Sequence, residues 1–143
     1  MFIEKEIEPV VKSMFDSGVK SLDDTLGFEY TYISRHRLEA LMPVDSRTMQ
    51  PFGLLHGGAS VALGESLCSF GAWLNIDFQK QAAVGIEINA NHIRSARNGK
   101  VRGVAEPIYK GASTQLWKFE LFSDNGKLLC TGRCTLAIVN KKT

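Results

Sequence analysis

The sequence has few cysteines, and their number and spacing do not indicate a zinc site or a disulfide framework. The three, Cys68, Cys130 and Cys134, are odd in number and include no CxxC pair. Structural zinc sites are typically built from CxxC pairs and disulfide frameworks from an even number of cysteines, so the sequence predicts neither. We expect three reduced thiols, placed in the core or on strands of a cytoplasmic protein.

Long apolar runs and an excess of charge of one sign are also missing. The net charge of +2 at pH 7 gives no strong attraction to nucleic acids or to anionic membranes. No window reaches the roughly 20 apolar residues of a transmembrane helix, and the charged N-terminus has no signal-peptide h-region. A length of 143 residues suits one buried domain better than two, so we expect a single domain over residues 1–143.

One segment, residues 59–74, is apolar or small at nearly every position. A helix that is apolar on all sides is typical of a buried element. Glu65 is the only formal charge between Arg47 and Asp77. A buried carboxylate is costly unless it is hydrogen-bonded, neutralised or functional. Glu65 is therefore the first candidate for a functional residue, with a position in a solvent-filled gap as the alternative.

The rest of the chain alternates with the period of β-strands. An N-terminal amphipathic helix between Ile3 and Phe15 comes first, and residues 21–24 are expected to form a loop. Six strands follow the alternation of apolar and polar residues, at 26–32, 38–44, 84–94, 100–109, 115–122 and 128–139. The predicted fold class is α+β, with a curved antiparallel six-stranded sheet wrapped round the central helix. Because the helix is apolar on its other sides too, a second subunit is expected to cover them.

Two stretches, MPVDSRTMQPFGLLHGGASVALGES and GIEINANHIRSARNGKVRGVAEPIYKG, carry a resemblance to a known family. They resemble the hotdog-fold acyl-CoA thioesterases of the Arthrobacter-type 4-hydroxybenzoyl-CoA thioesterase branch. Within it, they are similar to bacterial enzymes that act on 1,4-dihydroxy-2-naphthoyl-CoA or that proofread enterobactin synthesis. The most specific feature is the His-Gly-Gly motif that precedes Glu65, together with the upstream Gln50. The resemblance extends over about residues 20–139.

The resemblance implies a set of catalytic residues. Glu65 would be the catalytic carboxylate, Gln50 and His56 would contact the thioester, and the Gly57 amide would hold its carbonyl oxygen. Ser69 would help to position the attacking water or the carboxylate. Residues implied to bind the acyl-CoA are Gly85, Asn91, His92, Ile93, Arg94, Ser95, Tyr109, Lys110, Gly111, Ala112, Ser113 and Thr114. No metal and no separate cofactor are implied, since coenzyme A belongs to the substrate.

Thioester hydrolysis explains why these residue types are needed. At the start of a helix, the backbone N–H groups of Gly57 and Gly58 lack partners and lie at the positive end of the dipole. One such donor, aimed at a developing oxyanion, contributes about 3 kcal/mol. Glu65 would act either as nucleophile, through an anhydride, or as general base on water. Eight residues along one helix separate Gly57 from Glu65 by about 12 Å, so a complete site would combine two subunits.

The expected substrate is an aryl- or medium-size acyl-CoA, such as 1,4-dihydroxy-2-naphthoyl-CoA in menaquinone synthesis. We expect a cytoplasmic homo-oligomer with no nucleic-acid or membrane partner. A dimer is required to form the site, and a tetramer is the expected assembly. A non-catalytic acyl-CoA-binding protein and a hydrolase of carrier-protein thioesters are the alternatives. Each site residue also has a structural alternative: a helix start for His56, a solvated loop for Gln50, a core hydroxyl for Ser69 and a solvated turn around Arg94.

Overall fold

Seven strands and three helices are formed within residues 1–142, which are the residues described by the computed structural model. Thr143, the last residue of the expected domain, lies outside them. The helices are α1 (Glu8–Phe15), α2 (Leu22–Leu26) and α3 (Gly57–Trp73). The strands are β1 (Phe2–Ile3), β2 (Glu29–Ile33), β3 (Leu38–Pro43), β4 (Gln81–His92), β5 (Lys100–Lys110), β6 (Thr114–Phe122) and β7 (Leu128–Asn140).

The sheet packs one face against α3, and glycines allow the close approach. The strand order is β1-β2-β3-β5-β6-β7-β4, with every pairing antiparallel except that of β1 with β2. A Cβ atom on Gly64 would lie 2.4 Å from the Phe119 ring, and one on Gly71 would lie 2.4 Å from the Trp117 ring. Both rings are fully buried. Only glycine fits at such contacts, and the helix-wrapped sheet confirms the predicted hotdog fold.

The N-terminal region differs from the sequence prediction. Residues predicted as a loop form α2, which begins with a capping box between Ser21 and Asp24. The predicted N-terminal helix is shorter, because Phe2–Ile3 pairs with β2 as a parallel strand. Pro9 lies in the first turn of α1, where its missing N–H costs no hydrogen bond.

Strand β4 forms one edge of the sheet and departs from simple alternation. Its register shifts between Gly85 and Glu87, which leaves Ile86 in a β-bulge. The sequence pattern has Val84, Ile86, Ile88 and Ala90 on one face. Only Ile88 and Ala90 pack against the core, whereas Val84 and Ile86 are exposed by 47% and 62%. A long apolar edge strand is thus left without a partner in the single chain.

Helix α3 is not covered on all sides. Its residues facing the sheet are buried, but Gly58 and Glu65 are exposed, and Ala62 and Ser69, which lie between and beyond them on the same stripe, are half-buried. Within residues 1–142 no helix is both long enough and apolar enough to cross a membrane.

Candidate active site

The first turn of α3 is fixed by hydrogen bonds around His56. The His56 Nδ1 atom accepts from the Gly58 N–H at 2.8 Å, so this histidine is the N-cap of the helix. Its own N–H donates to the Thr48 carbonyl at 2.8 Å. Because Nδ1 accepts, the proton of the neutral imidazole is on Nε2, which can donate to a ligand.

The Gly57 amide is available to a ligand. Within residues 1–142 no acceptor is hydrogen-bonded to the Gly57 N–H. The His92 ring lies beside it, since a Cβ atom on Gly57 would be 3.0 Å from His92 Nε2. A side chain at this position would crowd the His92 ring, so glycine suits the first residue of the helix.

The turn that follows Gln50 orients its side-chain amide. The Gly53 N–H donates to the Gln50 carbonyl at 3.0 Å and closes a β-turn over residues 50–53. The Phe52 N–H donates to Gln50 Oε1. With its oxygen engaged, the Gln50 side chain presents its NH₂ group as a donor. The Phe52 ring is 85% exposed beside it.

A cavity of about 380 Å³ brings six of the predicted residues together at this end of α3. The guanidinium of Arg94 lies on its rim, where Nη1 donates to the Leu128 carbonyl at 2.9 Å. The predicted residues that line the cavity are Gln50, Gly57, His92, Ile93, Arg94 and Ser95. The start of α3, the Gln50 amide and the Arg94 cation thus line the same cavity.

Glu65 does not line this cavity. It lies two turns further along α3, about 12 Å from Gly57 at 1.5 Å per residue. One predicted binding residue that it does meet is Gly85 on the edge strand, where an added Cβ atom would be 3.4 Å from Glu65 Oε1. The expectation that this carboxylate is buried is wrong for the single chain, because the sheet covers α3 on one side only and Glu65 is exposed.

Ser69 lines a second and larger cavity of about 900 Å³, between α3 and the N-terminal segment. Its walls are rich in aromatic rings, including Phe15, Tyr30, Phe70 and Trp73. The Tyr30 hydroxyl donates to Asp23 at 2.7 Å, and burial together with this carboxylate raises the pKa of Tyr30. Ser69 lies one turn after Glu65, so this cavity begins next to the carboxylate.

Of the remaining predicted binding residues, Asn91 directly precedes His92, whereas the others lie away from the first turn of α3 within one chain. The segment from Tyr109 to Thr114 joins β5 to β6 near the C-terminal end of α3, where Lys110 Nζ donates to Asn75 Oδ1 at 3.1 Å. Asn91 is exposed on the edge strand β4. The predicted residues therefore lie along the length of α3, with Gly57 at its start, Glu65 and Gly85 near its middle, and the segment from Tyr109 to Thr114 near its end.

The cysteine thiols do not compete with Glu65 as nucleophiles. All three are buried and free. Burial, with a smaller effect from Glu65, raises the pKa of Cys134 to about 11, and burial raises that of Cys68 well above its usual value. Neutral thiols are poor nucleophiles. Among residues 1–142, no group of three His, Cys, Asp or Glu side chains is arranged to hold a metal ion.

Two residues that support this site were not found from the sequence. Thr48 holds the His56 N–H, and Phe52 holds the Gln50 oxygen. Both act through backbone groups that every non-proline residue carries, so residue type gives no signal for either.

Comparison with known proteins places these observations in a family context. The family model of the thioesterase superfamily matches residues 52–130. The chain is 53% identical over 114 residues to 1,4-dihydroxy-2-naphthoyl-CoA hydrolase of Escherichia coli strain K12, covering 80% of this chain and 83% of the relative. It is 45% identical over 123 residues to the proofreading thioesterase EntH of Cronobacter turicensis, covering 86% and 89%. A crystal structure of a thioesterase variant from Pseudomonas aeruginosa matches with a TM-score of 0.85 and 44% identity, over 94% of both chains.

Proposed function

Because this chain belongs to the thioesterase superfamily and is a thioester hydrolase acting on acyl thioesters, we propose that it hydrolyses an aryl- or medium-size acyl-CoA at a site shared by two subunits. Glu65 of one subunit would act on a thioester held by Gln50, His56 and Gly57 of another. The observation that carries this proposal is the separation of an exposed carboxylate from the donor cluster on the same helix.

The exposed edge strand is a reason to propose a second subunit. Exposed Val84 and Ile86 mark β4 as a surface that another chain would cover, and an unpaired edge can extend a sheet across a two-fold axis. Glu65 lies against Gly85 of this same strand. A partner paired along β4 would bring its own helix start towards Glu65. Further pairing of dimers into a tetramer is part of the proposal.

The chemistry proceeds with each group in one role. The Gly57 N–H and the Gln50 NH₂ donate to the thioester oxygen and stabilise the negative charge that develops on it. Glu65 either takes a proton from the attacking water or attacks the carbonyl carbon itself, to form an anhydride that water then opens. The C–S bond breaks, the thiolate leaves and is protonated, and the carboxylic acid is released. No metal and no bound cofactor enter these steps.

The aromatic cavity is the proposed site of the acyl group. Flat side chains such as Phe70 and Trp73 pack well against an aryl ring, and Ser69 lies between this cavity and Glu65. The name of the E. coli relative, a hydrolase of 1,4-dihydroxy-2-naphthoyl-CoA, supports an aryl-CoA. The substrate we propose to test first is 1,4-dihydroxy-2-naphthoyl-CoA, an intermediate of menaquinone synthesis in the cytoplasm.

The test is the release of free thiol from a panel of aryl and aliphatic acyl-CoAs, with wild-type protein and the Glu65→Gln variant. We expect turnover of at least one aryl-CoA. The variant keeps the size of the side chain but cannot act as base or nucleophile, so its kcat should fall at least about a hundredfold. Binding of acyl-CoA without thiol release would contradict the proposed hydrolysis. A variant as fast as wild type would contradict the catalytic role of Glu65.

A further inference from the structure

One carboxylate lies among the aromatic walls of the larger cavity. Asp23, the second residue of α2, lines the cavity of about 900 Å³ that begins next to Glu65. It is half-buried, and among residues 1–142 it forms no ion pair. A half-buried carboxylate without a neighbouring cation is stabilised by hydrogen-bond donors. An entirely apolar acyl group would make no use of this acceptor.

Two hydroxyl groups of the protein hold Asp23 in place. Tyr30 Oη donates to Asp23 Oδ2 at 2.7 Å, and Ser66 Oγ donates to Asp23 Oδ1 at 2.7 Å. The Tyr30 ring is itself packed edge-on against Phe70, with the ring centroids 5.6 Å apart. A carboxylate has about four lone-pair sites, so about two acceptor sites remain after these bonds. The contact with Tyr30 also shows that a phenol hydroxyl fits against this carboxylate.

We propose that Asp23 selects acyl groups that carry a phenolic hydroxyl, by accepting a hydrogen bond from it. The proposal rests on the function proposed above and adds a residue that determines the substrate class of that site. A hydrogen bond to a charged acceptor is short and strong, and the low polarity of the aromatic walls strengthens it further. A ring without the hydroxyl lacks this bond and is therefore the poorer substrate.

The place of Asp23 along α3 indicates which ring position carries the hydroxyl. Its partner Ser66 directly follows Glu65, whereas Trp73 lines the same cavity about two turns beyond Ser66. An aryl ring with its thioester at Glu65 and its far end towards Trp73 meets Asp23 at its side. An ortho hydroxyl donates to the thioester carbonyl of its own molecule, which leaves the meta position. In a 1,4-dihydroxy-2-naphthoyl group, the 4-hydroxyl is meta to the acyl carbon.

The experiment compares benzoyl-CoA, 3-hydroxybenzoyl-CoA and 4-hydroxybenzoyl-CoA as substrates. Wild type should prefer 3-hydroxybenzoyl-CoA over benzoyl-CoA about tenfold in kcat/KM, through one charge-assisted hydrogen bond. Asp23→Asn keeps the size of the side chain but loses the charge and one acceptor oxygen, so this preference should fall to about twofold or less. A purely structural role would lower kcat/KM for both substrates equally, and the unchanged preference would contradict the proposal. A wild-type preference for 4-hydroxybenzoyl-CoA would overturn the assigned ring position.

Asp24→Asn is the matched control, because Asp24 is the neighbouring carboxylate and also lines the cavity. Its Oδ2 atom already accepts from the Ser21 N–H at 2.7 Å and from the Ser21 hydroxyl at 2.9 Å. An asparagine keeps an acceptor for these bonds. The same loss of charge one residue away should therefore leave the preference for the meta hydroxyl unchanged. An equal loss of preference in both variants would show that the charge of the cavity sets it, and not a hydrogen bond to Asp23.

Calorimetric titration with two thioethers separates this proposal from the proposed reaction. S-benzyl-CoA and S-(3-hydroxybenzyl)-CoA have a CH₂ group in place of the thioester carbonyl, so neither can be hydrolysed. Wild type should bind the hydroxylated ligand about tenfold more tightly, and Asp23→Asn should bind both about equally, whether or not any thioester is cleaved. Equal Kd values for the two ligands in wild type, or an undiminished difference in Asp23→Asn, would overturn the role of Asp23.

Discussion

We propose that Gln50 donates a hydrogen bond to the substrate, because the turn after it engages its side-chain oxygen. The Phe52 N–H occupies Oε1 and leaves the NH₂ group free to meet a thioester oxygen. A glutamate at this position could still accept from Phe52, and it has nearly the same size. It could not donate to the substrate.

At the residue scale, Gln50→Glu therefore separates catalysis from folding. We expect kcat to fall about a hundredfold, the usual cost of one lost oxyanion donor, while the melting temperature stays close to that of wild type. Steady-state kinetics and thermal unfolding measure the two effects. A variant with wild-type kcat would show that the Gln50 amide does not donate to the reacting carbonyl.

The sequence predicts the residues proposed to contact the substrate better than those that only support them through backbone groups. Gln50, Gly57 and Glu65 follow from the motif and from the chemistry that it needs. Thr48 and Phe52 do not, since a carbonyl and an N–H are common to all residues. The sequence leaves open whether Glu65 is buried or exposed, because its exposure in the single chain depends on how far the sheet curls round α3.

At the scale of elements, β4 is the strand on which the proposed subunit contact depends. A lysine on an unpaired edge opposes pairing with another strand. Ile86→Lys should therefore give monomers in light scattering and reduce activity about a hundredfold, because each monomer keeps only half of a site. Leu22→Lys, at a position 58% exposed on α2, is the matched control and should change neither property.

If Ile86→Lys stayed oligomeric and active, β4 would not be the contact between subunits.

Strand β4 also shows where sequence patterns fail to predict the structure. Alternation predicts its position, but the bulge at Ile86 is set by pairing with β7, which local sequence does not specify. The pairing of β1 with β2 is likewise long-range, and α2 is too short for helical periodicity to reveal it.

At the scale of the whole molecule, the sequence alone predicts the hotdog arrangement, because it reveals the apolar helix and six of the strands. One core satisfies all of them, with α3 against the sheet and Trp117 and Phe119 between the two. We propose that the complete site is formed by two chains. This prediction rests on the spacing of Gly57 and Glu65, which lie eight residues apart on the same helix.

The central claim is that each site takes Glu65 from one subunit and Gln50 from another, and complementation tests it most directly. Glu65→Gln and Gln50→Ala chains, each nearly inactive alone, are co-expressed in equal amounts and assayed for thiol release. Half of the randomly formed dimers are mixed, and each mixed dimer has one intact site of two, so we predict about a quarter of wild-type activity. Activity no higher than that of either parent would contradict the shared site.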